Sequence, residues 1–539
     1  MAPCANVSSI DGEAFPVATV ESDAPVDNER RGAAAVKKQI RGSSLLLVGK
    51  FVTVAINFAI QILIVRYLSK SDYGAFAYAV SLVSMLATIV TLGLDRSITR
   101  FAAIYDEEGR YDKLLGTIVM QIVAIIGLSL AAVVLVFGLR GWLSSTVIDD
   151  RQAINLLLIL VFLAPVSALD GMINGLFAVF SRPRAIFFRR HLMAPGLRLL
   201  VVILLVAGES SVSFLATGYV VAGAFGVALY ALVLWRALRQ RGVLARFGGR
   251  RMSVPIREVL AFTIPLLTSD LLAIFLTTSD TILLGRYGTT ADVASFRAIQ
   301  PAAHGNYLVF TSFTLLFTPL AARLFARGDR EGITKLYWST AIWVAVFTFP
   351  IFVLTTSLSG PVTSGLFGKR YADSSTYLAV LSIGYYFSAA LGFNGLTLKV
   401  LGRLRYIVFI NVCAAVANVA LNLVLIPRYG PLGAAYGTGA TLVVHNILKQ
   451  AGLRFGGIRV FEWRYLRVYL AIVVGALALW GVQEVATPSF VISLVLAGLV
   501  SAVIFRVGRT ELEIGEVFPE LLRLPLVGRV FGRAHADRR

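Results

Sequence analysis

LLGTIVMQIVAIIGLSLAAVVLVFG, residues 114–138, runs for 25 residues without a charged side chain. A bilayer core offers no water to backbone N–H and C=O groups, so a stretch of ~20 apolar residues reads as a membrane-spanning helix. Comparable runs occupy 43–65, 74–95, 153–179, 186–207, 212–235, 258–285, 294–318, 334–356, 375–398, 406–427, 431–450, 466–484 and 487–505. A hydrophobic fraction of 57% and a charged fraction of only 15% agree with that reading and exclude an ordinary soluble domain. The expected fold is an all-α polytopic membrane protein with about 14 transmembrane helices.

The net charge of +20 could suggest nucleic acid, but its distribution argues against that partner. Of 50 Lys and Arg, 39 fall in the two tails and in alternate loops from residue 96 onward. The remaining loops hold 9, and Lys50 and Arg198 lie within runs. This is the positive-inside pattern, and it places both termini in the cytoplasm. Residues 1–41 read as a disordered cytoplasmic tail without a cleavable signal, and the first run reads as a signal-anchor. Cys4 and Cys413 make no disulfide framework, and the sequon at Asn6 faces the cytoplasm on this topology.

An internal repeat organises the runs. A shift of 220 residues sets ILIVRYLSKSDYGAF (62–76) against ILLGRYGTTADVASF (282–296) without a gap, with six of fifteen positions identical. A shift of 222 sets EEGRYDKLL (107–115) against DREGITKLY (329–337) and pairs Lys113 with Lys335. The predicted organisation is an N-terminal six-helix lobe (42–240), a basic cytoplasmic linker (241–257), a C-terminal six-helix lobe (258–455), helices 13 and 14 (456–510) and a cytoplasmic tail (511–539). An even number of helices per copy makes the lobes parallel repeats about an axis along the membrane normal, with a binding site between them.

NVALNLVLIPRYGPLGAAYGT (418–438) resembles the signature of the polysaccharide-export branch of the flippase superfamily that also holds lipid II flippases and multidrug-and-toxin extruders. VRYLSKSDYGAFAYA (65–79), LGLDRSITRFAA (92–103), TSDTILLGRYG (278–288), FTPLAARLFARGD (317–329) and LFGKRYADSS (366–375) resemble it in the same order, over roughly residues 40–455. The resemblance implies a flippase for polyprenyl-pyrophosphate-linked oligosaccharide in the cytoplasmic membrane, working by alternating access. It implies membrane lipid as surroundings, and a polysaccharide polymerase and glycosyltransferases as possible partners.

Charges within spans are costly and mark candidate sites. Lys50 either faces the cavity or snorkels to the interface. Asp170 and Arg198 are each fourteen positions from the turn near Arg184, so they reach similar depth. They either form a buried pair or leave Arg198 to bind phosphate with Asp170 orienting it; His191 nearby reads as polar packing. Asp270 and Asp280 sit in Thr/Ser-Asp clusters of a proline-containing span. Each is read as a carboxylate that changes protonation or binds Na⁺ between states, or else pairs with Arg286 or Arg297. Arg66, Arg286 and Arg297, with Lys70, lie toward the external helix ends, where arginine forks suit a pyrophosphate. Arg96 and Arg100 read as orientation charges.

Rival readings have their own requirements. A membrane polymerase or glycosyltransferase needs catalytic groups in a sizeable external loop. The longest such loop, about 357–374, holds one acidic residue, Asp373, and no HExxH, P-loop or CxxC motif occurs. No catalytic residue, cofactor or metal site is expected. A drug or cation antiporter would favour carboxylates over Lys50 and twelve spans. A lipid II flippase shares the span number and a cationic cavity, so it stays open beside the polysaccharide reading.

Overall fold

A computed structural model describes residues 49–146, 150–180, 183–243, 252–486 and 488–512. Most of the expected tails, and residues 244–251 of the basic linker, lie outside these residues. The described chain is helical throughout, with no strand. Its first half contains α1 (Gly49–Tyr67), α2 (Lys70–Thr91), α3 (Leu94–Glu107), α4 (Tyr111–Gly138), α5 (Arg151–Leu160) and α6 (Leu163–Val179). A π-helical turn at Phe188–Met193 then leads into α7 (Ala194–Ala207) and α8 (Val212–Gln240). The second half contains α9 (Ile256–Tyr287), α10 (Thr290–His304), α11 (Leu308–Ala326), α12 (Arg330–Thr355), α13 (Ser359–Phe367), α14 (Ser375–Ala390), α15 (Asn394–Val400) and α16 (Leu404–Gly452), followed by α17 (Leu466–Ala486) and α18 (Phe490–Val507).

Among the described residues, eleven helices are long and apolar enough to cross a membrane, or twelve if the pair bent by 47° across Thr290–Ala326 counts as one span. This is fewer than the fourteen expected. Part of the difference lies in α16, which reads as one element yet contains the expected runs 406–427 and 431–450. Gly430 has φ +55°, between Pro427 and Pro431, and turns the chain there. His445 bonds Asn411, and Tyr406 donates to the carbonyl of Leu448, so the two limbs lie antiparallel.

The 220-residue repeat is visible as two equal joints. After α1, Ser69 caps α2 by accepting from the Asp72 amide; after α9, Thr289 caps α10 through a capping box with Asp292. The second match needs a correction. Gly109 (φ +68°) and Gly328 (φ +72°) end the equivalent helices, which fixes the structural offset there at 219 and not 222. The Lys113–Lys335 pairing was therefore one helical turn out, because three residues of slippage preserve an amphipathic pattern.

The two joints pack against each other. A Cβ added at Gly74 would sit 1.7 Å from the Thr290 carbonyl oxygen, and Ser71 Oγ lies 3.0 Å from Thr290 Oγ1. Around them one buried apolar cluster runs through both lobes, from Ile64, Phe76 and Tyr78 to Phe296, Ile299 and Leu381. We call this the joint end. Toward the opposite, basic end the clusters separate. One gathers Leu94, Ile98, Ile118 and Phe177, and another gathers Tyr337, Trp338, Phe349 and Tyr465. The basic half of α9 breaks this division: Val259 belongs to the N-lobe cluster. Inside each cluster close van der Waals packing holds the helices together, because lipid is as apolar as the side chains themselves. The lobes thus share a core at one end and keep separate cores at the other.

Candidate functional site

Asp280 is 1% exposed near the joint end of α9. Thr438 Oγ1 donates to its Oδ2 at 2.9 Å, and Ser279 Oγ lies 3.2 Å from its Oδ1. Ser279 also reaches Asn418 Oδ1 at 2.9 Å, which accepts from Asn422 Nδ2 at 3.3 Å. Two further buried oxygens, Thr281 Oγ1 and Asn422 Oδ1, have no hydrogen-bond partner. Gly437 makes room for the cluster, since a Cβ there would lie 2.2 Å from Asn422 Oδ1. Two stretches far apart in sequence, 278–288 and 418–438, supply every member. The hairpin of α16 folds both of its limbs against α9, which is why they meet.

No ion pair joins Asp280 to a described residue, so the expected alternative of a pair with Arg286 or Arg297 is not formed. Arg297 lies within electrostatic range of Asp280 but bonds Gln300 Oε1 at 2.6 Å. Arg286 is exposed and has no ionic partner among the described residues. Lys50, exposed at the start of α1, has none either.

Asp270 pairs with Arg96, Nη2 to Oδ1 at 2.6 Å, and so with neither Arg286 nor Arg297. The pair links α3 to α9 across the lobes. Glu258 completes the basic-end contacts, accepting from Tyr105 Oη at 3.0 Å with Lys113 at 3.5 Å.

The expected facing of Asp170 and Arg198 is not observed. Asp170 Oδ1 lies 2.6 Å from Arg189 Nη2, and its Oδ2 accepts from Asn174 at 3.1 Å. The π turn reels in one extra residue per turn, which carries Arg189 inward to 4% exposure and defeats depth counting on an ideal helix. Arg198 is instead exposed, over the ring of Tyr219 at 5.8 Å, which in turn packs on Phe76 of α2. His191 is buried and bonded to Thr53 at 2.7 Å, in agreement with its reading as polar packing.

Arg66 does not stand free at the axis. It donates to the carbonyls of Leu366 (2.9 Å) and Gly365, the open end of α13. Arg370 reciprocates onto the carbonyls of Val65 and Arg66, both at 2.6 Å, at the open end of α1. Lys70 bonds Asp373 at 2.9 Å beside them. The joint end is therefore clasped across the lobes by two arginines on helix-end carbonyls, groups that carry the negative end of a helix dipole. Arg370 stands in the quoted LFGKRYADSS but nothing local there signals the clasp, and Arg96 reads in sequence as an orientation charge.

The residues that resemble the export branch thus meet in the fold, at Asp280 and at the clasp. A family model described as polysaccharide biosynthesis protein matches residues 40–325, more than half of the chain. The chain belongs to the polysaccharide biosynthesis protein family. A second model, MatE, matches residues 265–424, the stretch that carries Asp270, Asp280, Asn418 and Asn422. An uncharacterized membrane protein of Methanocaldococcus jannaschii is 22% identical over 423 residues, 75% of this chain and 81% of that protein. Stage V sporulation protein B of Bacillus subtilis is 22% identical over 138 residues, 26% of this chain and 27% of that one. Among solved structures, the lipid II flippase MurJ in an inward closed conformation superposes with TM-score 0.67 at 13% identity, over 87% of this chain and 99% of that one. An inward-facing multidrug resistance MATE family transporter gives 0.59 at 14% identity, over 76% and 94%. This polysaccharide biosynthesis family member is a multi-pass membrane protein with the fold of the flippase and multidrug-transporter superfamily.

Proposed function

We propose that this protein translocates a polyprenyl-pyrophosphate-linked oligosaccharide across the cytoplasmic membrane by alternating access, for surface polysaccharide synthesis. The observation that carries this reading is a set of uncompensated cations. Lys50, Arg198 and Arg286 have no carboxylate partner among the described residues, and Arg297 bonds only a neutral amide. Charges in a membrane protein are ordinarily neutralised in place. An anionic substrate neutralises these, and a pyrophosphate offers both the charge and many acceptor oxygens. The basic end is then the cytoplasmic end, by the positive-inside distribution, and the clasped joint end faces outside.

Asp280 is the site for ion coupling in this scheme. One carboxylate, three hydroxyls and two amide oxygens make an oxygen-rich cluster suited to a proton or a hard monovalent cation such as Na⁺. Among the described residues no group of three or more His, Cys, Asp or Glu assembles, so a multi-carboxylate metal centre plays no part in the proposal. A polymerase and glycosyltransferases supplying or consuming the lipid-linked glycan are natural partners. The uncompensated cations also admit a lipid II-type peptidoglycan precursor, which presents the same pyrophosphate.

The test uses purified protein in proteoliposomes containing a fluorescent polyprenyl-pyrophosphate oligosaccharide, with leaflet exchange followed by quenching. Wild type should exchange it, and Arg286→Gln and Arg297→Gln should slow exchange while leaving reconstitution unchanged. Equal exchange by wild type and protein-free vesicles would refute the proposal.

A further inference from the structure

The Arg96–Asp270 pair has features that a packing contact does not require. It joins α3 of one lobe to α9 of the other toward the basic end, where Val259 of α9 packs into the N-lobe core. It is open: the Arg96 side chain is 51% exposed and that of Asp270 is 24% exposed. It is also thin. One guanidinium nitrogen meets one carboxylate oxygen, and the other donors of Arg96 bond nothing described. A second carboxylate, Asp95, lies in electrostatic range of Asp270; Arg96 and Asp95 are the charged groups acting on it among the described residues. Asp95 in turn lies against α6, where a Cβ at Gly171 would touch its side chain at 3.3 Å.

We infer that this pair is an anion-displaced latch, in which a phosphate of the substrate takes Arg96 from Asp270. The inference rests on the pyrophosphate reading above and names Arg96 as a substrate-binding residue of that site. A guanidinium has five donors in a fixed fork, and a carboxylate with one negative charge uses only part of them here. A pyrophosphate brings more charge and a bidentate face, so it wins the exchange. Displacement then leaves Asp270 without its cation and within electrostatic range of Asp95, and the repulsion favours separation of α3 from α9. Binding is thereby converted into loosening of the basic end. Arg100 on the ring of Phe262 (4.6 Å), the Glu258 contacts and the packing of Val259 into the N-lobe core still hold it.

The test is binding of farnesyl pyrophosphate, with farnesol as the phosphate-free control, to purified full-length protein by calorimetry. Arg96→Gln should weaken pyrophosphate binding about tenfold, and Arg96→Lys by less, since it keeps the charge and loses the fork. Asp270→Asn should tighten binding, because the competing carboxylate is gone. The double variant Arg96→Gln/Asp270→Asn should bind as poorly as Arg96→Gln. A purely structural pair gives a different pattern: both single variants lose binding and melt lower, and the double variant recovers. That outcome, or unchanged binding in Arg96→Gln, overturns the latch and leaves the pyrophosphate reading standing. Wild type that binds farnesyl pyrophosphate no better than farnesol removes both.

Discussion

Asp170 and Asp280 are both carboxylates within expected spans, yet the two lobes treat them oppositely. Asp170 meets Arg189 at 2.6 Å beneath the ring of Tyr230, so its charge is cancelled within the N-terminal lobe. Asp280 is buried among hydroxyls and amides, and among the described residues no arginine or lysine pairs with it. A paired charge in low dielectric fixes packing, and removing one partner strands the other. A carboxylate among neutral oxygens keeps its charge available to something that comes and goes. On the proposed reading, the difference separates a structural charge from a working one.

The largest expected effect tests that separation directly. Asp280→Asn preserves shape and the hydrogen bond from Thr438, so the protein should melt as wild type does. Its ion-driven exchange in proteoliposomes should nonetheless fall by roughly 100-fold, near the top of the range of ligand coupling energies. Wild-type exchange by this variant would place Asp280 with Asp170 as a structural residue.

Asp170→Asn should do the reverse. It leaves Arg189 buried without its counter-charge and should destabilise by ~3 kcal/mol, read as a lower thermal midpoint in detergent. Asp170→Asn combined with Arg189→Gln should regain most of that loss. A double variant as unstable as the sum of the two would argue against a self-contained pair.

A smaller effect concerns the clasp. Arg66→Gln or Arg370→Gln removes charge-assisted bonds to helix-end carbonyls, each worth about 1–2 kcal/mol. The expected result is greater reactivity of a cysteine placed at Ser71 or Thr290 toward a water-soluble maleimide, because the joint end opens more often. Unchanged labelling would mean that the apolar cluster, and not the clasp, keeps that end shut. The smallest effect belongs to Arg198. Exposed and touching only Tyr219, it should leave the midpoint within about 0.5 kcal/mol of wild type when changed to Gln.

The fold class was legible because the membrane imposes a strict rule: runs such as 114–138 have no stable alternative to a helix. The repeat was legible for a local reason, since Ser69/Asp72 and Thr289/Asp292 are cap chemistry written over four residues. The residues of the polar cluster were legible as motif members, but their meeting was not.

By itself, then, the sequence determined what depends on composition and near neighbours: the many spans, the alternating charge of their loops and the paired lobes. Tertiary structure decided the partnerships of the charges singled out within the spans. Asp170 went to Arg189, and not to Arg198, because a π turn shifted one helix face. Asp270 went to Arg96 because α9 leans its basic half on the other lobe. Arg66 found carbonyls instead of a cavity because α13 ends beside it. Each of these contacts joins residues between 19 and 300 positions apart. Electrostatic pairing acts over a few ångströms, and distance in space at that scale is set only once the helices have packed.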